Sequence, residues 1–260
     1  MDRRSMLTAL GASALIGSEA RAAAPLNTFL EIQTWRLHNS AEGQGPRLAE
    51  YLEHGLAPAL GRAGAKLCGA FANVIAPDGP YYVTLSQYAT LAAFESALAQ
   101  LKSDDAHRAA LEKLSAGSGV PFVRVESSLL RSFDKMPAPV LTDASEKRAP
   151  RVFELRTYES QSFVTLARKV GMFNDAEMGI FERLGMRPVF FGETIVGPRQ
   201  PNLMYMLSYD DLAARDAMWS AFGKDPQWVK LRVQPGLTDP EIVANISNVI
   251  LRPLPFSAIR

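Results

Sequence analysis

The 260-residue sequence predicts an α+β protein built from two tandem ferredoxin-like units, each of order βαββαβ. Internal repetition is the first observation behind that reading. Residues 29–35 (FLEIQTW) match residues 152–158 (VFELRTY), with Glu31 over Glu154, Thr34 over Thr157 and Trp35 over Tyr158. The second observation is a held register. Gly64 falls on Gly185, Tyr88 on Tyr209, Leu91 on Leu212, Asp104 on Asp225 and Leu130-Arg131 on Leu251-Arg252, all at an offset of 121. The third is that strand and helix patterns alternate identically in both halves.

A strand opens each half, at 29–35 and 151–158. A helix follows, marked by Leu48, Leu52, Leu56 and Leu60 in the first half and by Phe163, Leu166, Val170, Phe173, Ile180 and Leu184 in the second. Pro58 is expected to bend or end the first of these helices. Further strands are predicted at 66–75 and 187–196, and after a turn at 81–88 and 203–209. A second helix starts after Thr90 or Asp210, both of the residue types that cap helix N-termini. Its apolar positions are Leu91, Phe94, Leu98 and Leu101, against Leu212, Arg215, Trp219 and Phe222. Strands at 122–131 and 242–251 close the halves. The predicted units span 26–133 and 151–256. Between them, 134–150 is rich in Pro, Ala and charge without periodicity, and reads as a linker.

Composition supports a globular chain, with 47% hydrophobic and 21% charged residues. With 28 Lys plus Arg against 27 Asp plus Glu, the chain has no strong field for nucleic acid or anionic lipid. A single cysteine, Cys68, excludes an intrachain disulfide, and three histidines share no ligand spacing, so no metal site is expected.

The first residues read as a targeting segment. Arg3-Arg4 precede an apolar stretch from Met6 to Gly17, and Ala20-Arg21-Ala22 forms a small-x-small cleavage site. The stretch is shorter than the ~20 residues a membrane-spanning helix needs, so no transmembrane segment is expected. Residues 1–22 resemble a twin-arginine (Tat) signal peptide, with an ordinary Sec signal as the alternative. The reading implies a periplasmic or secreted bacterial protein.

Residues 153–158 (FELRTY), 209–215 (YDDLAAR) and 225–228 (DPQW) resemble the NIPSNAP family, of the dimeric α/β-barrel superfamily. The resemblance implies that the two units pack sheet to sheet as a barrel-like pseudo-dimer within one chain. The first half departs from the pattern: Gln33 stands for Arg156 and Phe94 for Arg215, as in a degenerate copy.

Strand alternation then nominates a site. Phe153, Leu155 and Thr157 share one face of their strand, and Glu154, Arg156 and Tyr158 the other. The apolar row is expected to meet the helices. The polar row, with Glu31, Gln33 and Trp35 of the first unit, would then face the space between the sheets. A polar row ending in aromatics suits a small, partly apolar or aromatic ligand, with Tyr205 and Tyr209 completing the set. The same residues can equally be paired structurally, since buried charges are normally matched. Arg215 is read as snorkelling or pairing with Asp211, Trp228 as covering the core, and Asp225-Pro226 as a helix start.

The alternative function implied by the superfamily is a cofactor-independent monooxygenase or isomerase. There Glu154 or His54 would be the base, Arg156 would stabilise an enolate or phenolate, and Trp35, Tyr158, Tyr205 and Tyr209 would clamp the ring. No cofactor is expected, haem at His54 stays open, and so does homo-oligomerisation.

Overall fold

The computed structural model describes residues 27–40, 43–142 and 149–260. The targeting segment and part of the linker therefore lie outside the described residues. The first unit runs β1 (Phe29–Arg36), α1 (Gln44–Tyr51), a π-helical turn (Leu52–Leu56), α2 (Ala57–Arg62), β2 (Lys66–Ile75), β3 (Tyr81–Tyr88), α3 (Leu91–Ser103), α4 (Asp105–Ser115) and β4 (Arg124–Ser132). The second repeats it: β5 (Val152–Glu159), α5 (Phe163–Met172), a π-helical turn (Phe173–Glu177), α6 (Met178–Arg183), β6 (Arg187–Val196), β7 (Asn202–Tyr209), α7 (Leu212–Lys224), α8 (Pro226–Leu231), α9 (Asp239–Ile242) and β8 (Asn245–Pro253).

Each unit forms a four-stranded antiparallel sheet, ordered β4-β1-β3-β2 and β6-β7-β5-β8. The sheets join edge to edge as well as facing each other. β2 pairs with β8 from Phe71–Pro253 to Ile75–Ile250, and β4 with β6 from Leu129–Val196 to Ser132–Gly192. Closing both seams gives one eight-stranded barrel and pairs strand edges that would otherwise invite association. Gly64 and Gly185 end α2 and α6 with φ of 74° and 75°, a left-handed conformation that glycine adopts without steric cost.

Two local expectations are corrected. Pro58 does not end the helix; it sits in the first turn of α2, directly after the π-helical turn. The same turn recurs at Phe173–Glu177, where the counterpart of Pro58 is Gly179, so the turn belongs to the fold and accommodates the proline. The cap of α7 is Asp211, whose side chain accepts from the Ala214 amide at 2.7 Å, in register with Thr90 on α3. Asp210 instead binds Arg187 at 2.8 Å.

The core has three parts. Leu30, Ile32, Phe71, Leu85, Phe153, Leu155, Met206 and Leu251 fill the barrel lumen from both units. Trp35, Leu48, Leu52 and Tyr88 pack the first sheet against its helices. Phe173, Phe181, Phe191, Tyr205, Tyr209 and Trp228 do so in the second.

This arrangement reverses the predicted faces. Phe153, Leu155 and Thr157 look into the lumen, whereas Glu154, Arg156 and Tyr158 look toward the helices; Leu30 and Ile32 likewise line the lumen and Trp35 packs under α1. The physical reason is that β5 is buried on both sides, so neither row needs solvent. Lumen side chains meet mainly other strands, with Ile259 of the C-terminal tail among them, and are mostly apolar, while the polar row finds partners on the helices.

Candidate functional site

Two places in the molecule carry unusual chemistry. The first is a charged cluster between the second sheet and its helices. The Glu154 carboxylate is fully buried and accepts from Arg156 Nη1 at 2.8 Å, Arg215 Nη2 at 2.6 Å, the Trp219 indole at 2.8 Å and the Tyr209 hydroxyl at 3.4 Å. Arg156 also donates to the Tyr158 hydroxyl at 3.1 Å and lies 4.5 Å from the Trp219 ring centroid. Tyr205 donates to Tyr158 at 3.0 Å. Deeper still, Lys169 and Glu177 form a buried ion pair, and the Lys169 ammonium faces Phe173, Tyr158 and Trp228.

Burial pulls against the charge of Glu154, but the donors from Arg215, Arg156 and Trp219 outweigh it and hold its carboxyl below the ordinary range. Glu177 is the reverse case: burial dominates and pushes its carboxyl up despite Lys169. Burial also raises the Tyr205 and Tyr209 phenols, keeping both neutral. The predicted pairing of Arg215 with Asp211 does not occur; Arg215 reaches Glu154 and, at 2.9 Å, Asp216.

The second place is a cavity of about 430 Å³ at one end of the barrel lumen. Its floor is apolar, from Ile32, Val83, Leu155, Met204 and Val249, and its walls carry Thr34, Thr157, Ser128 and Ser247. Arg36, Asp78, Glu126 and Arg199 ring the mouth. Arg36 bridges Asp78 at 2.5 Å and Glu126 at 3.2 Å and lies over the Tyr81 ring. Burial lifts the Tyr81 phenol to about 12, so that phenol is neutral. Arg199 holds a left-handed backbone with φ 60°, uncommon for a residue with a side chain, and donates to Ser247 at 3.1 Å.

The site residues read from the sequence are thus brought together, but not in this cavity. Glu154, Arg156, Tyr158, Tyr205 and Tyr209 meet in the charged cluster. Glu31 joins Gln33, Tyr88 and Ser127 in the equivalent place of the first unit, at 2.8–2.9 Å, and the Trp35 indole donates to Thr84 at 3.3 Å. His54 is exposed on the helix surface beside Glu53, remote from both the lumen and Glu154. Lys169 and Glu177 were not legible as site residues, because each falls inside an apolar helical stripe. The lumen residues Thr34, Arg36 and Thr157 carried a signal in the other strand parity. Trp228 does cover the core, and Asp225 caps α8 through the Gln227 and Trp228 amides at 3.0 and 3.1 Å. Among the described residues no group of three His, Cys, Asp or Glu could hold a metal ion, and no helix is long and apolar enough to cross a membrane.

Residues 153–258 match the NIPSNAP family model. That match lies within the second unit and covers less than half of the chain. The tandem architecture is similar to that of a candidate monooxygenase of Lactobacillus acidophilus, 11% identical, with a TM-score of 0.58 over 87% of this chain and 94% of that one. A candidate monooxygenase of Fusobacterium nucleatum is similar too, at 11% identity and TM-score 0.57 over 88% and 93%. A NIPSNAP family protein of Agrobacterium tumefaciens is 20% identical and corresponds to 45% of this chain and 98% of its own, with a TM-score of 0.40. No curated protein matches the sequence significantly. At these identities the likeness to the two candidate monooxygenases establishes a shared fold alone, two α+β units closing one barrel.

Proposed function

We propose that this protein binds a small, partly apolar molecule in the barrel cavity, apolar end inward and polar end at the mouth. The observation that carries the reading is the cavity itself. It offers about 430 Å³, within the range of small-molecule sites, and draws its walls from both units. An apolar floor under a charged rim suits a ligand with one polar end. The row that faces the ligand is Ile32, Thr34, Leu155 and Thr157, in place of the polar row. An oxygenase or isomerase chemistry finds less support, since neither Glu154 nor His54 reaches the cavity and the mouth carboxylates Asp78 and Glu126 are engaged by Arg36.

The test is native mass spectrometry of the purified protein beside Leu155→Trp, which fills the cavity floor. A bound small molecule in the parent and its loss in the variant support the reading. Equal occupancy in both would remove it. We also place the protein outside the cytoplasm. Replacing Arg3 and Arg4 by lysines should trap precursor inside the cell, whereas unchanged export would point to the Sec route.

A further inference from the structure

The two units provide an internal control for the charged cluster. At equivalent positions the first unit carries Gln33 for Arg156, Leu48 for Lys169, Leu56 for Glu177, Thr84 for Tyr205 and Phe94 for Arg215. Leu48 and Thr84 are fully buried there, and Phe94 packs on Tyr88 at 5.0 Å between centroids. The same fold therefore forms without these cations and without Glu177, while Glu31 keeps the carboxylate at the position of Glu154, bonded by neutral donors. Buried ion pairs are commonly no more stabilising than apolar residues of similar volume, so stability gives no reason for one unit to keep them.

The cluster is also incomplete. Its interior holds two cations, Arg156 and Lys169, and two carboxylates, Glu154 and Glu177; Arg215 is half-buried at its edge, where Asp216 and Asp239 are exposed. The Nε atoms of Arg156 and Arg215 are both buried without a hydrogen-bond partner, a state that calls for an explanation because buried donors are normally satisfied. A groove of about 320 Å³ opens beside Arg215, between α7 and β8. Arg215, Asp216 and Asn248 form its polar side, and Ile75, Leu212 and Ile250 its apolar side. With its amide oriented to satisfy both neighbours, Asn248 accepts from Arg156 Nη1 at 3.1 Å, linking the groove to the buried guanidinium.

We propose that this groove binds a small organic anion, a carboxylate or phenolate on an apolar body, with Arg215 as its direct partner and Arg156 behind it. Asp216 is then a competitor that the ligand displaces from Arg215. The site is separate from the barrel cavity and exists only in the second unit.

The test titrates the full chain with 4-fluorobenzoate and with neutral 4-fluorobenzyl alcohol, read by fluorine NMR. The parent should bind the carboxylate at least about tenfold more tightly than the alcohol, the scale of one charge-assisted hydrogen bond. Arg156→Gln with Arg215→Phe, the first unit's own residues, combined with Glu154→Gln so that no buried carboxylate is left without its cations, should keep the melting temperature and lose that preference. Asp216→Asn should tighten carboxylate binding, and Leu155→Trp in the barrel should leave it unchanged. An unchanged preference in the triple variant, or a large fall in its melting temperature, would overturn the proposal. So would a parent that does not distinguish the two probes, or a loss of binding in Leu155→Trp, which would place the anion in the lumen.

Discussion

Glu154 is the residue on which most of the second unit's polar side chains converge. Removing its carboxylate by Glu154→Leu strands two guanidiniums in a buried setting. Chemical denaturation should show a loss of about 3–5 kcal/mol, the usual result of breaking a buried ion pair from one side. Its carboxyl is held below the ordinary value, so it contributes stability above about pH 4.3 that is lost as the pH falls below that value. Glu177 has the opposite sign: its carboxyl is raised, so stability drains as the pH climbs from the same point. Unfolding free energies across acid pH should therefore show the low-pH loss shrinking relative to the parent in Glu154→Gln, not in Glu177→Gln. The grouping of Glu154, Arg156 and Tyr158 on one face was legible, because strand parity is strict. The side they face was not. Parity fixes which residues stay together, and only the partners on α5 and α7 decide where a polar row can be satisfied.

At the level of elements, the helices that carry the cluster can be swapped toward the first unit's solution. Lys169→Leu with Glu177→Leu installs the pair found at Leu48 and Leu56. The double variant should be neutral or more stable by roughly 1–4 kcal/mol in denaturant melts, while Lys169→Leu alone should lose stability. Asp225→Ala removes the α8 cap and the 2.6 Å contact to Arg183, and should cost about 1–2 kcal/mol. The strands and the longer helices were readable because their apolar spacing is regular. Helix α4 was not: it begins at a second cap, Asp104, immediately after α3, and much of it, including Leu111, is exposed. The π-helical turns left no trace in the spacing either, since they add a residue to a turn without altering which side chains are apolar.

The whole molecule is held by the lumen, which neither unit can fill alone. Phe71 of the first unit lies 5.0 Å from Phe153 of the second, and both seams are hydrogen-bonded. Calorimetry should therefore record one cooperative unfolding transition, and Phe153→Ala should lower its stability by about 3–5 kcal/mol. Two separated transitions would mean that the units fold independently. Tandem duplication was the clearest message in the sequence, and it extended to the order of strands in each sheet. Edge-to-edge closure was not readable, because seam pairing depends on backbone hydrogen bonds that any side chain permits.

A ligand in the lumen cavity, on the Thr34 and Thr157 side of the strands, must leave when that space is filled. Thr34→Cys in a Cys68→Ser background places one thiol in that cavity, where a bulky methanethiosulfonate reagent can be attached. Native mass spectrometry before and after modification reads ligand occupancy directly. A bound small molecule should be present before labelling and absent after it. A labelled protein that keeps its full occupancy would place the ligand outside the lumen cavity.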